Sequence, residues 1–259
     1  MNIYEDHTFV VCAYKESEYL EECVKSVLNQ TIKSNVILAT STPNSFIENI
    51  CKKYFIEMYI NPVTSGGIGV DWNFAVSSCK TNLVTVAHQD DVYLPEYLEN
   101  ILYSYNSDKK QIIFFTDYAE IINGKVSPAN RNMKVKRIIS KCFNSSAFGN
   151  KKWFKKRCLS LGCPIGCPSV TLQTDLTGKS PYVTQKSFTL DWYTWLKLSA
   201  MDGVFAFIDK KLMYHRRHKD SETSKCIGNN VRASEDYEML KNFWPKPFAK
   251  LIMKFFSKE

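Results

Sequence analysis

The chain has 259 residues, of which 44% are hydrophobic, enough apolar material for one large α/β domain or two small ones. No stretch approaches the roughly 18 consecutive apolar residues of a membrane-spanning helix, and residues 1–6 lack the layout of a signal peptide, so we expect a cytoplasmic protein. The net charge of +8 is compatible with nucleic acid, a phosphorylated substrate or an anionic membrane surface as partner, and does not choose among them.

The first half of the chain alternates between short apolar runs and amphipathic stretches. Residues 8–13 form an apolar, β-branched run typical of a strand buried on both faces. Behind Ser17, a candidate helix cap, apolar residues recur at helical spacing. This alternation predicts a doubly wound, mainly parallel α/β sheet of Rossmann-like type, with ligands at the carboxyl ends of its strands. Further strands are expected at 36–39, 58–60 and 83–87, and further helices at 47–55 with Phe55 facing inward, at 70–78 and from Pro95.

The alternation weakens in the second half. An apolar strand at 112–116 precedes a hairpin through Asn123-Gly124, and the basic segment 130–156 is expected to be rich in loops, with short helices. After it we expect strands at 169–172, 204–208 and 211–215 and a helix at 191–200. Because no repeat or low-complexity linker interrupts the chain, these elements are expected to elaborate one domain.

The nine cysteines are scattered along a chain too long to need disulfides, so we expect them to be reduced. The tightest group, Cys158, Cys163 and Cys167, contains no Cys-x-x-Cys pair. Because structural zinc sites usually contain such pairs, the sequence does not predict a zinc site.

Two adjacent carboxylates, Asp90 and Asp91, follow the buried strand predicted at 83–87. Hard oxygen ligands at such a position suit Mg²⁺ or Mn²⁺, which complete their coordination shells with water and substrate phosphates. The alternative is that the pair caps the helix beginning at Pro95. Their place at the end of a strand in a β-α series favours the metal hypothesis.

Five segments, in order along the chain, resemble motifs of the family 2 glycosyltransferases. They resemble the family's opening strand, turn and helix, its G-G-x-x-x-x-x-N segment, its D-x-D-D metal motif, the acidic position before its acceptor-side helix and its closing Y-R-x-H-x-x-S-x-T stretch. The resemblance implies a GT-A fold and an inverting transfer, as in enzymes of bacterial surface-polysaccharide assembly. The five segments are residues 9–31, 61–73, 89–91, 191–192 and 214–224.

The resemblance also implies a role for each matched residue. Asp191 would be the general base, and Asp90 would bind Mn²⁺ or Mg²⁺, with His218 as a second ligand and Asp91 in support. Trp192 would lie on the acceptor side. The donor, most often a UDP-sugar in this family, would be bound by Ala13, Tyr14, Glu16, Thr40, Ser41, Gly67, Asn73, His88, Gln89, Asp90, Asp91, Arg216 and Arg217.

Structural alternatives stand beside these roles. Asp191 can instead cap its helix, in competition with Thr189. Trp192 is equally compatible with a core position, and the segment 215–218 with a solvated basic loop.

The chain also departs from the family pattern. His88 replaces the first Asp of the metal motif, Lys15 the usual Asn and Leu190 a common Glu. Residues 40–44 lack the acidic residues that commonly meet the base, so uracil recognition is not implied.

The C-terminal segment 246–259 has the pattern of a basic amphipathic helix. It can lie on an anionic membrane surface, which would suit a lipid-linked or growing polysaccharide acceptor, or it can dock on its own domain. The expected organisation is therefore one GT-A domain over 1–245, with a donor half at 1–125 and an acceptor half at 126–228, followed by this helix.

Two other functional classes, nucleotidyltransferases and non-catalytic binding modules, predict different sequence features. A nucleotidyltransferase should have a Gly-rich phosphate loop after its first strand, where this chain has Ala13-Tyr14-Lys15-Glu16. A non-catalytic carbohydrate- or nucleotide-binding module should lack the carboxylate site. No RNA- or DNA-binding signature is present, so nucleic acid is not expected as a partner.

Overall fold

The computed structural model describes residues 3–107, 110–218 and 230–256. In these ranges the strands form one sheet in the order β3-β2-β1-β4-β8-β6-β9-β5, with β7 paired to β6. Neighbours from β3 to β4 are parallel, as are β6 and β9, while β5, β7 and β8 run antiparallel to their partners. The strands are β1 Ile3–Ala13, β2 Lys33–Thr40, β3 Glu57–Ile60, β4 Leu83–His88, β5 Val92–Tyr93, β6 Gln111–Ile122, β7 Lys125–Ser127, β8 Val170–Gln173 and β9 Val204–Arg217.

Helices cover both faces of the sheet. Within the described ranges, no helix is both long and apolar enough to cross a bilayer. The helices are α1 Leu20–Leu28, α2 Ser45–Tyr54, α3 Ile68–Ser78, α4 Tyr97–Ser107, α5 Arg131–Cys142, α6 Lys152–Cys158, α7 Thr174–Thr177, α8 Leu190–Ser199, α9 Asn230–Leu240 and α10 Lys246–Phe256, with a 3₁₀ turn at Cys167–Ser169.

Two apolar cores, one on each face of the sheet, explain the continuous apolar runs of the central strands. In β1, Phe9 and Val11 pack with α1, α2 and α4, whereas Val10 packs on the opposite face with α3 and α8. Because successive side chains of a strand point to opposite faces, only a run without polar alternation can serve both cores. The predicted doubly wound α/β architecture is confirmed.

Four local predictions were wrong. Ser17 does not cap α1, whose N-cap is Tyr19 without a side-chain hydrogen bond. Phe55 ends α2 in the left-handed conformation (φ 54°), which turns its ring outward, 96% exposed. The strands predicted at 204–208 and 211–215 are one strand, β9, with a register shift against β6 between the two segments. The basic segment contains α5, a 12-residue helix capped by Asn130, rather than short helices alone.

The C-terminal helix docks on the domain. Ala249 is fully buried, and Ile252 and Met253 pack against the core that contains α8. Phe248 and Leu251 face outward instead. The amphipathic pattern of α10 therefore has an inner face that contributes to the core and an outer face that mixes apolar and lysine side chains.

Candidate functional site

The candidate site lies where β1 and β4 end side by side. Cys12 of β1 pairs with His88 of β4, so the segments after them, Tyr14 and Gln89 to Asp91, emerge together. Parallel strands bring their carboxyl ends to one edge of a sheet, which is why residues about 75 positions apart meet here.

Asp91 is fully buried and joins this edge to the end of β9. Its Oδ1 accepts hydrogen bonds from the backbone amide of Arg216 (2.9 Å) and from Nδ1 of His215 (3.0 Å). Burial alone would lower the pKa of His215, but the carboxylates of Asp91, Asp90 and Glu120 together outweigh it and raise that pKa. Asp91 therefore positions the end of β9 through Oδ1, whereas its Oδ2 is buried and has no hydrogen-bond partner among the described residues.

Asp90 and His218 meet as predicted for two ligands of one cation. Oδ2 of Asp90 lies 3.0 Å from Nε2 of His218, and about four fifths of each side chain is buried. Two ligands at right angles around Mg²⁺ or Mn²⁺ also lie roughly 3 Å apart, so the geometry fits such an ion. In the described part of the chain, no cluster of three or more His, Cys, Asp or Glu side chains joins at this point.

His88 stacks on the indole of Trp72, with ring centroids 4.7 Å apart. Burial lowers the pKa of His88 to about 4, so its imidazole is neutral at physiological pH. Its Nε2 is buried and has no hydrogen-bond partner among the described residues. The residue that replaces the first Asp of the metal motif is thus a neutral group carried on an aromatic surface.

Two predicted donor-binding residues, Gln89 and Asn73, use their side-chain amides to hold loops. Gln89 pairs with both the N–H and the C=O of Tyr14, each at 3.0 Å. Asn73 does the same with Tyr182, at 2.9 and 2.8 Å. Both residues therefore position the loops around the site, and the direct donor contacts predicted for them stay a prediction, since each amide has further hydrogen-bonding capacity.

Both predicted arginines have acidic partners within the protein. The Arg216 guanidinium is buried between Glu22, the carbonyl oxygen of Asp90 and the ring of Tyr19. Arg217 lies 3.6 Å from Glu120. Since charged donors in the interior must be paired, Arg216 serves the fold and not a phosphate.

A polar pocket forms where β2 and β3 end. Asp71, from the first turn of α3, accepts hydrogen bonds from Ser41 Oγ (3.0 Å) and Asn61 Nδ2 (2.8 Å). The helix starts at Gly67, whose φ of 78° is accessible without strain only to glycine. The other residues predicted here divide by exposure: Ala13, Thr40 and Ser41 are buried, whereas Tyr14 and Glu16 are exposed.

Asp191 lies in the first turn of α8 and is not the N-cap residue of that helix. The N-cap is Thr189, and the amides of Ser187, Phe188 and Thr189 donate to Glu235 of α9. Oδ1 of Asp191 accepts from the amide of Trp192 (2.7 Å). Among the described residues, the hydrogen-bond partner of Oδ2 is the thiol of Cys163, a weak donor at 3.8 Å.

The environment of Asp191 favours the protonated carboxyl more than water does. Burial raises the pKa of Asp191, and the amide of Trp192 and the positive charge of Lys136 offset this only in part. A carboxylate with a raised pKa accepts a proton more readily, which suits a general base.

Trp192 does not lie on the acceptor side. Its side chain is 3% exposed, its indole N–H donates to the carbonyl oxygen of Leu159 (2.9 Å), and its ring stacks on Phe243. The prediction that it offers a surface to a sugar is wrong, because neighbouring positions of α8 point to different faces and position 192 faces the core.

Several residues of the site could not be found from local patterns. Asp71 and Trp72 lie within a recognised motif, at positions to which the motif assigns no chemistry. Glu235 and Lys136 come from helices far along the chain, and only their partners reveal them.

Comparisons with known proteins agree with this architecture. A family model described as glycosyl transferase family 2 matches residues 8–170. A search of curated protein sequences finds no match. The family match sets aside the nucleotidyltransferase and binding-module alternatives.

Solved structures share the fold at low sequence identity. S. aureus TarS 1–349 with UDP-GlcNAc is 15% identical, with 96% of this chain and 70% of that chain covered and a TM-score of 0.65. The mannosyltransferase PcManGT of Pyrobaculum calidifontis with GDP-Man and Mn²⁺ is 12% identical, with 95% and 68% covered and a TM-score of 0.62. Glucosyl-3-phosphoglycerate synthase of Mycobacterium tuberculosis with Mn²⁺, UDP and phosphoglyceric acid is 12% identical, with 90% and 78% covered and a TM-score of 0.61.

The family model spans more than half of the chain and includes the ends of β1, β2 and β4, while Asp191 and the end of β9 lie beyond it. With the GT-A architecture shared by the solved structures, this shows that the chain belongs to glycosyl transferase family 2 and is a nucleotide-sugar glycosyltransferase.

Proposed function

We propose that the protein is an inverting glycosyltransferase that uses Mn²⁺ or Mg²⁺ to hold a nucleoside-diphosphate sugar. The observation that carries the proposal is the Asp90–His218 pair, 3.0 Å apart at the end of β4. A carboxylate oxygen and an imidazole nitrogen suit Mn²⁺, and Mg²⁺ also binds through one or two protein ligands plus phosphates. The Mn²⁺ in the PcManGT structure, solved with GDP-Man, supports this reading.

Asp90 and His218 would hold the cation, whose chemistry is to neutralise charge on the departing diphosphate. Asp91 keeps both ligands in place, because it fixes the backbone of Arg216 two residues before His218. Arg216 adds a second tie through the carbonyl oxygen of Asp90.

Asp191 would take the proton of the acceptor hydroxyl at Oδ2, since Oδ1 is committed to the amide of Trp192. As that proton leaves, the hydroxyl oxygen forms a bond to the anomeric carbon from the face opposite the phosphate. The bond from the anomeric carbon to the phosphate oxygen breaks, and its electron pair leaves with the diphosphate. An α-linked donor would therefore yield a β-glycoside.

The nucleobase would lie beside Asp71, with Ser41 and the backbone of Tyr14 around it. Asp71 supplies the carboxylate that residues 40–44 lack, and each of its oxygens retains a lone pair beyond the bonds from Ser41 and Asn61. Uracil and guanine both present ring N–H donors to such a group. The two bases to compare are uracil, present in the UDP-GlcNAc of the TarS structure, and guanine, present in the GDP-Man of the PcManGT structure.

The acceptor would be a lipid-linked or growing polysaccharide of the cell envelope, reached at the inner face of the membrane. Supporting this, the outer face of α10 combines Phe248 and Leu251 with Lys246, Lys250 and Lys254. We further propose that residues 1–245 form one domain, since a single sheet contains strands from both halves.

The test combines donor binding with turnover. Asp90→Ala should lose the Mn²⁺-dependent rise in melting temperature caused by UDP- or GDP-sugars, as should His218→Ala. Asp191→Asn should keep that rise and lower transfer, or slow donor hydrolysis, by at least about 100-fold.

Asp209→Ala, which removes an exposed carboxylate paired with Lys141, is the matched control and should behave as wild type. Full metal-dependent donor binding by Asp90→Ala, or full turnover by Asp191→Asn, would refute the corresponding role. Screening nucleotide-sugars by donor hydrolysis identifies the base and the sugar.

A further inference from the structure

One long segment of the chain contains many basic residues and no acidic residue. Residues 121–174 contain no Asp or Glu, although the protein has 26 acidic residues in total. The same segment contains 11 of the 34 basic residues: Lys125, Arg131, Lys134, Lys136, Arg137, Lys141, Lys151, Lys152, Lys155, Lys156 and Arg157. Arg137, Lys141 and Lys152 pair with Asp117, Asp209 and Asp202, and Lys155 is buried, so the positive surface of this segment rests on its other basic side chains.

Helix α5, in this segment, presents apolar side chains to solvent among its lysines. Met133 and Ser140 face inward, whereas Val135 and Ile138 face outward, with Ile138 66% exposed. Lys134 shares the outward face. A surface helix normally reserves its aliphatic residues for the core, so this outward face requires an explanation.

An exposed aromatic cluster lies in the loop and helix that follow. The rings of Phe148, Trp153 and Phe154 are mutually in contact, with centroids 5.5 to 5.8 Å apart. Trp153 is nevertheless 61% exposed. Lys151 and Lys156 beside it are exposed too, and among the described residues neither has a carboxylate within 4 Å.

We propose that this surface, the α5–α6 apex, docks the protein on a membrane rich in anionic lipids. The apex is defined by Lys134, Val135, Ile138, Phe148, Lys151, Trp153 and Lys156. Aromatic rings enter the headgroup and acyl boundary favourably, and lysines around them are attracted to the negative surface potential of an anionic leaflet.

The mixture of side chains distinguishes a membrane from nucleic acid. Unpaired lysines alone would suit the phosphate backbone of either DNA or RNA. Val135 and Ile138 gain nothing from phosphates, whereas the acyl region beneath a headgroup layer removes them from water. An anionic surface with an apolar interior satisfies both sets of side chains.

The inference deepens the proposed function by placing the membrane beside the acceptor end of the site. The inner side of α5 brings Lys136 close enough to act electrostatically on Asp191. A helix with its side chains is only about 10 Å across, so a membrane on the outer side of α5 is near the proposed base. A lipid-linked acceptor could then reach Asp191 without leaving the bilayer.

Vesicle co-sedimentation tests the inference without requiring turnover. Wild-type protein should sediment with phosphatidylcholine vesicles containing about 30% phosphatidylglycerol, less so at 0.5 M salt, and not with phosphatidylcholine alone. Two double variants, Phe148→Ser/Trp153→Ser and Lys151→Glu/Lys156→Glu, test the surface. Each should weaken the apparent affinity for the anionic vesicles at least tenfold. The lysine variant should keep the melting temperature of wild type, because both lysines are exposed, whereas the aromatic variant should melt lower, because its rings contact Phe154. Both should keep the donor hydrolysis of wild type when assayed below the unfolding transition.

Matched controls lie on the donor half and on α10. Phe55→Asn removes an exposed aromatic ring at a position whose left-handed backbone suits asparagine, and Lys52→Glu/Lys80→Glu reverses two exposed charges. Both should bind vesicles like wild type. Phe248→Ser/Leu251→Ser should retain most binding.

Three results would overturn the inference. The first is that wild-type protein binds neither vesicle type. The second is that only the α10 variant loses binding. The third is that the apex variants lose affinity for double-stranded DNA while vesicle binding is absent throughout. Vesicle binding by a protein that hydrolyses no sugar nucleotide would count against the proposed function and leave the docking surface intact.

Discussion

The side-chain amides of Gln89 and Asn73 make hydrogen bonds of the kind that a neighbouring backbone would make. Each accepts one hydrogen bond from a main-chain N–H and donates one to the C=O of the same residue, as a neighbouring strand would. Gln89 extends the pairing of β1 and β4 by one residue, to Tyr14, whereas Asn73, on α3, ties the loop at Tyr182 to that helix. The order of the site thus depends on individual side chains, each with two defined partners.

The charge that tunes Asp191 gives a prediction for pH dependence at the residue level. Burial raises the pKa of this carboxyl, and the positive charge of Lys136 opposes that rise. Lys136→Met should therefore raise the pKa of Asp191 further. A general base works when deprotonated, so activity is present above this pKa and lost below it, and the acid limb of kcat/KM should move to higher pH.

Lys134→Met is the matched control, because Lys134 lies on the same helix but is exposed. Its pH–rate profile should coincide with that of wild type. An acid limb that stays in place, or moves downward, in Lys136→Met would contradict the assigned coupling.

Element packing positions the proposed base as much as its own helix does. Helix α9 supplies Glu235, which receives the three amides that precede α8. These bonds lower the pKa of Glu235 despite the opposing effect of burial. The loop that leads to Asp191 is therefore held by a helix that begins 39 positions further along the chain.

Glu235→Ala should loosen this loop and reduce kcat about tenfold, because small displacements of a reacting group cost large factors in rate. The donor KM should change little, since the proposed donor contacts come from the ends of β1, β2, β4 and β9 and not from this loop. Steady-state kinetics with a glycosyl acceptor or with water would measure both constants.

The control, Glu238→Ala, removes a carboxylate of the same helix that pairs only with Lys241 at the surface. Equal loss of kcat in both variants would show that α9 acts through general stability and not through the loop.

The whole molecule includes α10 as part of its core. Ile252 packs against the cluster around α8, whereas Leu251, one residue earlier, is about half exposed. Ile252→Ala should lower the free energy of unfolding by about 1–2 kcal/mol, equivalent to about 2–6 °C in Tm. Leu251→Ala should leave Tm within about 1 °C. Thermal unfolding distinguishes them, and equal Tm values would mean that α10 is not docked in solution.

The sequence by itself determined the sheet and helices of the donor half. Continuous apolar runs, amphipathic stretches and the Asn123-Gly124 turn are local signals, and a residue's neighbours in the chain are enough to interpret them. The order of the five motifs likewise predicted Asp90, Asp191 and His218 as residues of the site.

Only the tertiary structure decided which polar side chains of the site are bonded to other parts of the fold. Arg216 is bound to Glu22, Asn73 to Tyr182 and Asp71 to Ser41, and these partners are 194, 109 and 30 positions apart. A buried donor or acceptor must be paired, and its partner is set by how elements pack. Such pairing leaves no periodic trace in the chain, so the sequence could name the site's chemistry but could not divide its polar residues between substrate and scaffold.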